Sequence, residues 1–295
     1  MARAALIALA FLIAGTASAQ SIEKLKLSAP QLNNESVTLE IYLPPQYNAK
    51  QTYPVLYIND GQDMQAIHLQ AHLKNYYAQA NAKPWIIVAV PMFKDRMGVY
   101  GLADRANKQS QIAPTKYGDV GAKSYAYNEW FTQTLIPTID GKYSTQRNAE
   151  GRAVLGWSLG AIAAFSTGWQ YAEQIGAIGM FSPSLWLSEK RDTPDEAQQT
   201  RLIQNRVADD PHAPNTRIYL AIGTQEDTDD RDGDGVNDAV DDVLDLANGW
   251  QAKKGLHQRG IPTETTLLVG GKHNQDAWSA MLPRFMRWLS RRDVK

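Results

Sequence analysis

Ala153-Val154-Leu155-Gly156-Trp157-Ser158-Leu159-Gly160-Ala161-Ile162-Ala163-Ala164-Phe165 is the stretch on which the fold turns. It opens as a short apolar run, passes through a G-x-S-x-G pentapeptide at Gly156–Gly160, and continues as an Ala-rich run of helical character. Strand, glycine-flanked serine, helix is the order that a nucleophile elbow requires. Ser158 must sit on a turn tight enough to project its hydroxyl from the end of a sheet, and side chains at 156 and 160 would collide in that turn. A helix starting directly after Ser158 aims its N-terminal N–H groups at the reaction centre. The pentapeptide alone is a weak signal, and the strand before it and helix behind it give it weight.

Outward from the elbow, apolar runs alternate with helical patterns. Ser36–Leu43 alternates apolar and polar residues, as an edge or half-buried strand does. Tyr53–Ile58 and Trp85–Val90 are short, continuous and rich in β-branched residues, which predicts buried parallel strands. Ala177–Phe181, Ile218–Ile222 and Thr265–Val269 follow the same style. Helices are predicted over Tyr127–Ile139, Leu159–Tyr171, roughly Asp238–Gly255, and Ala277–Leu289. The fold class is therefore α/β: a mostly parallel sheet with helices on both faces. Pro44-Pro45 and Asn59-Asp60-Gly61 punctuate strand ends. The polar, Gly-containing stretch Ala103–Gly121 reads as a long surface loop of the size that often serves as a lid.

A serine nucleophile needs a base. Of five histidines, His273 follows a predicted strand near the C-terminus and precedes a helix, in Gly270-Gly271-Lys272-His273-Asn274. That matches the α/β-hydrolase chain order Ser, acid, His. His68, His72 and His257 fall in helical or loop regions and His212 in a polar loop, where surface or packing roles are ordinary. The acid is expected after the preceding strand, in Gly223-Thr224-Gln225-Glu226-Asp227. There it would fix the imidazole tautomer and stabilise the imidazolium. Glu226 is the first choice and Asp227 the second, with Asp241 and Asp242 open because the loop is long.

Several further motifs stand in order: VLYINDGQ (Val55–Gln62), IIVAVP (Ile86–Pro91), DRMGVY (Asp95–Tyr100), LIPTIDGKY (Leu135–Tyr143), GWSLGAIAAF (Gly156–Phe165), FSPSLW (Phe181–Trp186) and GGKHNQDAW (Gly270–Trp278). Across about Ser36–Leu289 the chain resembles the esterase D-like, enterochelin esterase-like branch of the α/β-hydrolases. That branch includes feruloyl and acetylxylan esterases, S-formylglutathione hydrolase and the mycolyltransferases. The resemblance implies an oxyanion hole from the backbone N–H groups of Leu159 and Gln62, and places Arg96, Tyr100, Trp186 and Trp278 near the substrate cleft. Trp157, with Trp186 and Trp278, is a candidate stacking surface for an aromatic or sugar moiety. The sequence departs from the family pattern in two places. Gly98-Val99 stands where relatives often have an acidic residue before the Tyr, and the acid loop carries an insertion.

That insertion, near 227–242, lies in the most acidic part of the chain. Glu226–Asp245 holds ten acidic side chains and one basic one, Arg231. Asp230–Asp241 fits a calcium-loop pattern. Asp230, Asp232 and Asp234 supply side-chain oxygens, Gly235 the sharp turn, Val236 a carbonyl, Asp238 a direct or water-bridged contact, and Asp241 the last carboxylate. An oxygen-only ligand set favours Ca²⁺ over transition metals. The bland alternative is a solvated acidic loop. A structural Ca²⁺ would pin the loop that presents the acid, and catalysis itself needs no cofactor.

Composition bounds the remaining classes. The 295 residues suit one large α/β domain, and 43% of them are hydrophobic, enough for its core. A net charge of −1 gives no basic surplus for nucleic acid. No cysteine exists, which excludes disulfides, thiolate catalysis and Cys-ligated zinc. Arg3, the apolar run Ala4–Ala14 and the small-x-small site Ala17-Ser18-Ala19 predict a signal peptide over 1–19, with an uncleaved anchor as the alternative. The expectation is a secreted or periplasmic single domain over 20–295, with no membrane span after cleavage. The expected partner is a small-molecule or polysaccharide-linked ester: siderophore, feruloyl or acetyl-polysaccharide, or a simple acyl ester. An acyltransferase of the same fold, or an inactive calcium-dependent binding protein, is the alternative.

Overall fold

The computed structural model describes residues 20–231 and 233–291. The predicted signal peptide and Asp232 of the acidic loop lie outside the described residues.

In chain order the elements are β1 (Ser21–Ala29), β2 (Glu35–Leu43), β3 (Val55–Asn59), α1 (Leu69–Tyr77), β4 (Ile86–Val90), α2 (Arg96–Val99), β5 (Leu102–Asp104) and β6 (Gln109–Gln111). They continue with α3 (Ser124–Trp130), α4 (Ile136–Lys142), β7 (Arg152–Ser158), α5 (Leu159–Gln170), β8 (Ala177–Pro183), α6 (Pro194–Gln199), α7 (Leu202–Asp209), β9 (Arg217–Gly223), α8 (Asp238–Asn248), β10 (Thr263–Leu268) and α9 (Gln275–Ser290). The described residues build an eight-stranded sheet in the order β1-β2-β4-β3-β7-β8-β9-β10. β1, β2 and β4 pair antiparallel, and every pairing from β4 through β3 to β10 is parallel.

The two-residue alternation of strands divides the core. Val55 and Tyr57 of β3 face a cluster with Phe131, Ile162, Phe165 and Val243. Leu56 and Ile58 face the opposite cluster, with Leu73 of α1 and Phe285 and Leu289 of α9. Helices thus cover both faces, which is why β3 and β4 are buried along their whole length and, but for Asn59 at the end of β3, apolar.

The strand order fixes where a site can form. From β3 the chain crosses to β4 on one side, and from β7 it crosses to β8 on the other. The loops after β3 and β7 therefore leave in opposite directions and open a crevice at the carboxyl ends of these neighbouring strands. Asp60–Gln62 and Ser158 follow those two ends.

The structure differs from the sequence reading in several elements. Ser21–Ala29 is an edge strand, with Lys24, Lys26 and Glu23 on a largely exposed ribbon. Ala103–Gly121 is not a free lid. β5 and β6 pair there as a hairpin, Ala113 and Val120 bridge below it, and the Ala103 N–H donates to Ser166 Oγ of α5 at 2.9 Å. The helix around Tyr127–Ile139 runs from α3 through a π-helical turn at Phe131–Leu135 into α4, where Pro137 sits in the first turn and needs no N–H partner. The helix predicted to reach Gly255 ends at Asn248, and Gly249 follows it at φ 101°.

Candidate active site

Ser158 ends β7 with φ 54° and ψ −126°, a conformation that non-glycine residues rarely adopt. The turn is over-determined by its surroundings. A Cβ on Gly156 would run into the Gly160 carbonyl, and one on Gly160 would come within 2.5 Å of Asp60 Oδ2. The β7–β8 register shifts at Trp157/Ser158 and sets Ser158 opposite Pro183. The Ser158 hydroxyl does not cap α5. It lies 3.3 Å from Ser184 Oγ, and the Ser184 N–H points at the Ser158 carbonyl at 3.4 Å.

Facing the elbow is the turn after β3. Asp60 is buried with φ 58°, and Gly61–Asp63 form a 3₁₀ turn. Arg96 holds the Asp60 carboxylate bidentately, Nε to Oδ1 at 2.8 Å and Nη2 to Oδ2 at 2.8 Å. The Asp60 N–H donates to Tyr100 Oη at 3.2 Å. The two turns are tied together: Asn59 Nδ2 donates to the Gly160 carbonyl at 2.9 Å, and Tyr127 Oη–H donates to Asn59 Oδ1 at 2.6 Å. Gln62 and Leu159 both occupy the first turn of a helical segment, where backbone N–H groups have no intrahelical acceptor. The Gln62 side chain folds back, accepting from the Met92 N–H at 2.9 Å and donating to Asp60 Oδ1 at 3.2 Å.

Glu226 and His273 meet on the far side. The His273 Nδ1–Glu226 Oε2 distance is 2.6 Å, with the carboxylate side chain 2% exposed and the imidazole 42%. Glu226 Oε1 accepts from the Gly223 N–H at 2.9 Å and the Ser182 hydroxyl at 2.6 Å. A proton on Nδ1 satisfies the carboxylate and leaves Nε2 as the free base of the ring. The two loops are stitched together by Gln225 N–H to the Gly271 carbonyl at 2.8 Å and Gly270 N–H to Thr224 Oγ1 at 2.9 Å. Behind them Trp278 stacks on Trp157 with centroids 5.3 Å apart, and meets the His273 ring edge-on at 5.5 Å. Its Nε1–H donates to Ser182 Oγ at 2.9 Å, while Trp157 Nε1–H donates to Asp63 Oδ2 at 3.0 Å.

Among the residues singled out from sequence, the structure brings Glu226, rather than Asp227, onto His273. Trp157 and Trp278 are not exposed stacking surfaces, and Tyr100, expected near the cleft, is buried too; the polar tips of the three are bonded to the Asp60 turn, Asp63 and Ser182. Trp186, two residues past Ser184, does face outward at 42% exposure, and the Arg191 guanidinium lies 5.2 Å from its ring. Sequence reading did not single out Asp60, Asn59, Ser182 or Ser184, although each lies in a quoted motif. His72 bonds Ser279 through Nε2 at 2.8 Å, a packing role in which burial holds its pKa below the ordinary value.

The acidic segment winds around its first carboxylate. Asp230 accepts from the Gly233 N–H at 2.8 Å and the Gly235 N–H at 3.0 Å, and Asp234 accepts from the Val236 N–H at 2.8 Å. Arg231 turns back onto Asp242 at 2.9 Å and Asp238 at 3.5 Å. Among the described residues no group of three or more His, Asp or Glu side chains is arranged to hold a metal. The crowding leaves a mark: burial, reinforced by Asp229, Asp238, Asp242 and Glu226, pushes Asp227 from 3.8 up to about 6. A carboxyl with a raised folded pKa contributes stability while protonated and loses it as pH rises through that window. Asp227→Asn should therefore melt like the wild type near pH 4 and above it beyond pH 6 (both pH values follow from the shift). Parallel melting temperatures across the range would refute the crowding.

No helix among the described residues is long and apolar enough to cross a membrane. Comparison with known proteins agrees with the fold. Protein YjcH of Bacillus subtilis is 25% identical over 263 residues, covering 89% of this chain and 94% of that protein. The enterobactin esterase of Shigella flexneri superposes with a TM-score of 0.69 at 16% identity; the match covers 93% of this chain and 60% of that one. A ferulic acid esterase of the fungus Anaeromyces mucronatus gives 0.61 at 17% identity, covering 92% and 91%. The family model described as "Putative esterase" matches residues 30–289, and the chain belongs to that family of carboxylic ester hydrolases.

Proposed function

We propose that the protein is a serine esterase in which Ser158 is the nucleophile, His273 the general base and Glu226 the acid that orients it. The observation that carries this reading is the pairing of His273 Nδ1 with Glu226 at 2.6 Å, on a carboxylate held by Ser182 of β8, whose neighbour Pro183 lies opposite a Ser158 strained at φ 54°. In the proposed step the Ser158 hydroxyl leaves Ser184 and gives its proton to His273 Nε2 as Oγ attacks the ester carbonyl. The carbonyl oxygen becomes an oxyanion held by the Leu159 and Gln62 N–H groups, each worth roughly 10²–10³ in rate. His273 then protonates the leaving alcohol, and water, activated by the same imidazole, cleaves the acyl-enzyme. The decisive test is an organophosphonate probe, expected to add its mass at Ser158 alone; labelling elsewhere would sink the assignment.

Trp186 supplies the best argument for substrate. Its ring is 42% exposed, two residues from the serine that touches the nucleophile, with the Arg191 guanidinium over one face, and the other face suits stacking on an aromatic acyl group. The two esterase structures above are named for enterobactin and ferulic acid, and aromatic acyl esters are the class proposed here. A panel of feruloyl, catecholate and acetyl esters tests the preference.

For the acidic loop we propose structural calcium. Supporting it are the turn around Asp230, the φ of 88° at Gly235, and the placement of Asp238 and Asp241 in the first turn of α8. Asp230, Asp232, Asp234, Asp238, Asp241 and the Val236 carbonyl would hold the ion. An ion bound to the folded state alone adds about 2.7 kcal/mol at a hundredfold excess over Kd. Calcium should raise the melting temperature of the wild type and leave Asp230→Ala with Asp234→Ala unresponsive. Coincident wild-type curves in calcium and chelator would return the segment to a solvated loop.

A further inference from the structure

We propose that Ser182 is a positioning residue for this reaction, its hydroxyl locking Glu226 into the orientation that His273 needs. The inference rests on the assignment of Ser158, His273 and Glu226 above. Ser182 lies near the end of β8, is buried, and has φ 43°, in the left-handed region that a serine seldom enters. Strain of this kind persists where the surroundings over-determine it and clusters at functional sites. What it achieves here is placement of one hydroxyl between two fixed partners.

The directions of the bonds follow from chemistry. An indole N–H only donates, and an ionised carboxylate only accepts. Trp278 Nε1–H therefore donates to Ser182 Oγ at 2.9 Å, and Ser182 spends its single proton on Glu226 Oε1 at 2.6 Å. With the Gly223 N–H also on Oε1 at 2.9 Å, two donors fix one carboxylate oxygen, and Oε2 is left for His273. Gly223 alone would be a single pivot about which the carboxylate could swing. The circuit closes through Trp278, whose ring meets the His273 edge at 5.5 Å and stacks on Trp157, the neighbour of Ser158 in β7. One indole thus sets the Ser182 hydroxyl and also packs against the imidazole that the oriented carboxylate must meet.

The test compares Ser182→Ala and Ser182→Gly in the full chain, with kcat and KM read separately on a short-chain p-nitrophenyl ester. Both variants lose the hydroxyl, but Gly also relieves the backbone. Both should lose roughly 10- to 100-fold in kcat with KM within about twofold, the scale of a misplaced catalytic group. The downfield Nδ1 proton resonance of His273 should weaken in both. In a Glu226→Ala background either change should cost little more, since the group it orients is gone. Wild-type kcat in Ser182→Ala, recovery of kcat in Ser182→Gly, or full additivity with Glu226→Ala would each overturn the role. Activity surviving in Ser158→Ala would instead bring down the catalytic assignment, and the Ser182 role with it.

Discussion

Ser158→Ala is expected to lower kcat on a p-nitrophenyl ester by about 10⁶, the loss typical of removing a triad nucleophile. What remains should be the background from the oxyanion donors and substrate binding, about 10³–10⁴ above water. Stability should change little, because the side chain's one hydrogen bond is to Ser184 at 3.3 Å and the backbone strain is kept. A kinetic collapse without a shift in melting temperature would separate a chemical role from a structural one. Ser158→Gly adds a control: it relieves φ 54° and removes the hydroxyl, so it should be as inactive and somewhat more stable. Activity within about tenfold of wild type in either variant would move the nucleophile elsewhere, beyond the loss that a triad serine allows.

The elbow was legible because its signals are local. An apolar strand, two glycines and an Ala-rich helix lie within a dozen residues, and the steric need for Gly156 and Gly160 can be argued from spacing. His273 followed from chain order. The acid was half legible. Glu226 and Asp227 are adjacent carboxylates in one turn, and sequence offers no way to know which will meet the Gly223 N–H and the Ser182 hydroxyl. Ser182 itself was hidden for the same reason, since its partners stand on distant parts of the chain, Trp278 on α9 and Glu226 in the loop after β9.

Burial was the harder quantity. Trp157 and Trp278 are aromatic residues that a sequence reading offers as surfaces for substrate, and the family resemblance puts Tyr100 near the cleft. Packing consumes them, and of the four cleft aromatics Trp186 is the one left exposed, with Arg191 over its ring. The edge strand β1 and the β5–β6 hairpin were missed because exposed strands carry polar residues on their open face, as β1 does with its lysines. Three-residue strands such as β5 have too short a period to read.

His273→Ala should match the Ser158 change, at about 10⁶ in kcat, since base and nucleophile act as one unit. Glu226 should be less severe. Glu226→Gln keeps the shape but can hold the wrong imidazole tautomer, an effect of about 10⁴. With its oxygen kept where the Gly223 N–H and Ser182 hydroxyl both donate, its amide nitrogen would face His273 Nδ1 and demand an acceptor there, turning the ring's proton to Nε2. The order Ser158 and His273 first, Glu226 second, Asp227 last is the signature of the proposed arrangement. The exposure of the imidazole adds a sharper check. With 42% of the His273 side chain open to solvent, its removal leaves a vacancy that a small molecule can enter, beside a carboxylate already oriented to receive it. Added imidazole should therefore restore part of the activity to His273→Ala and none to Ser158→Ala. It should restore less when Glu226→Ala is combined with His273→Ala, because the guest base then has no carboxylate to orient it. Rescue that ignores Glu226, or a larger loss in Asp227→Ala than in Glu226→Ala, would reassign the acid.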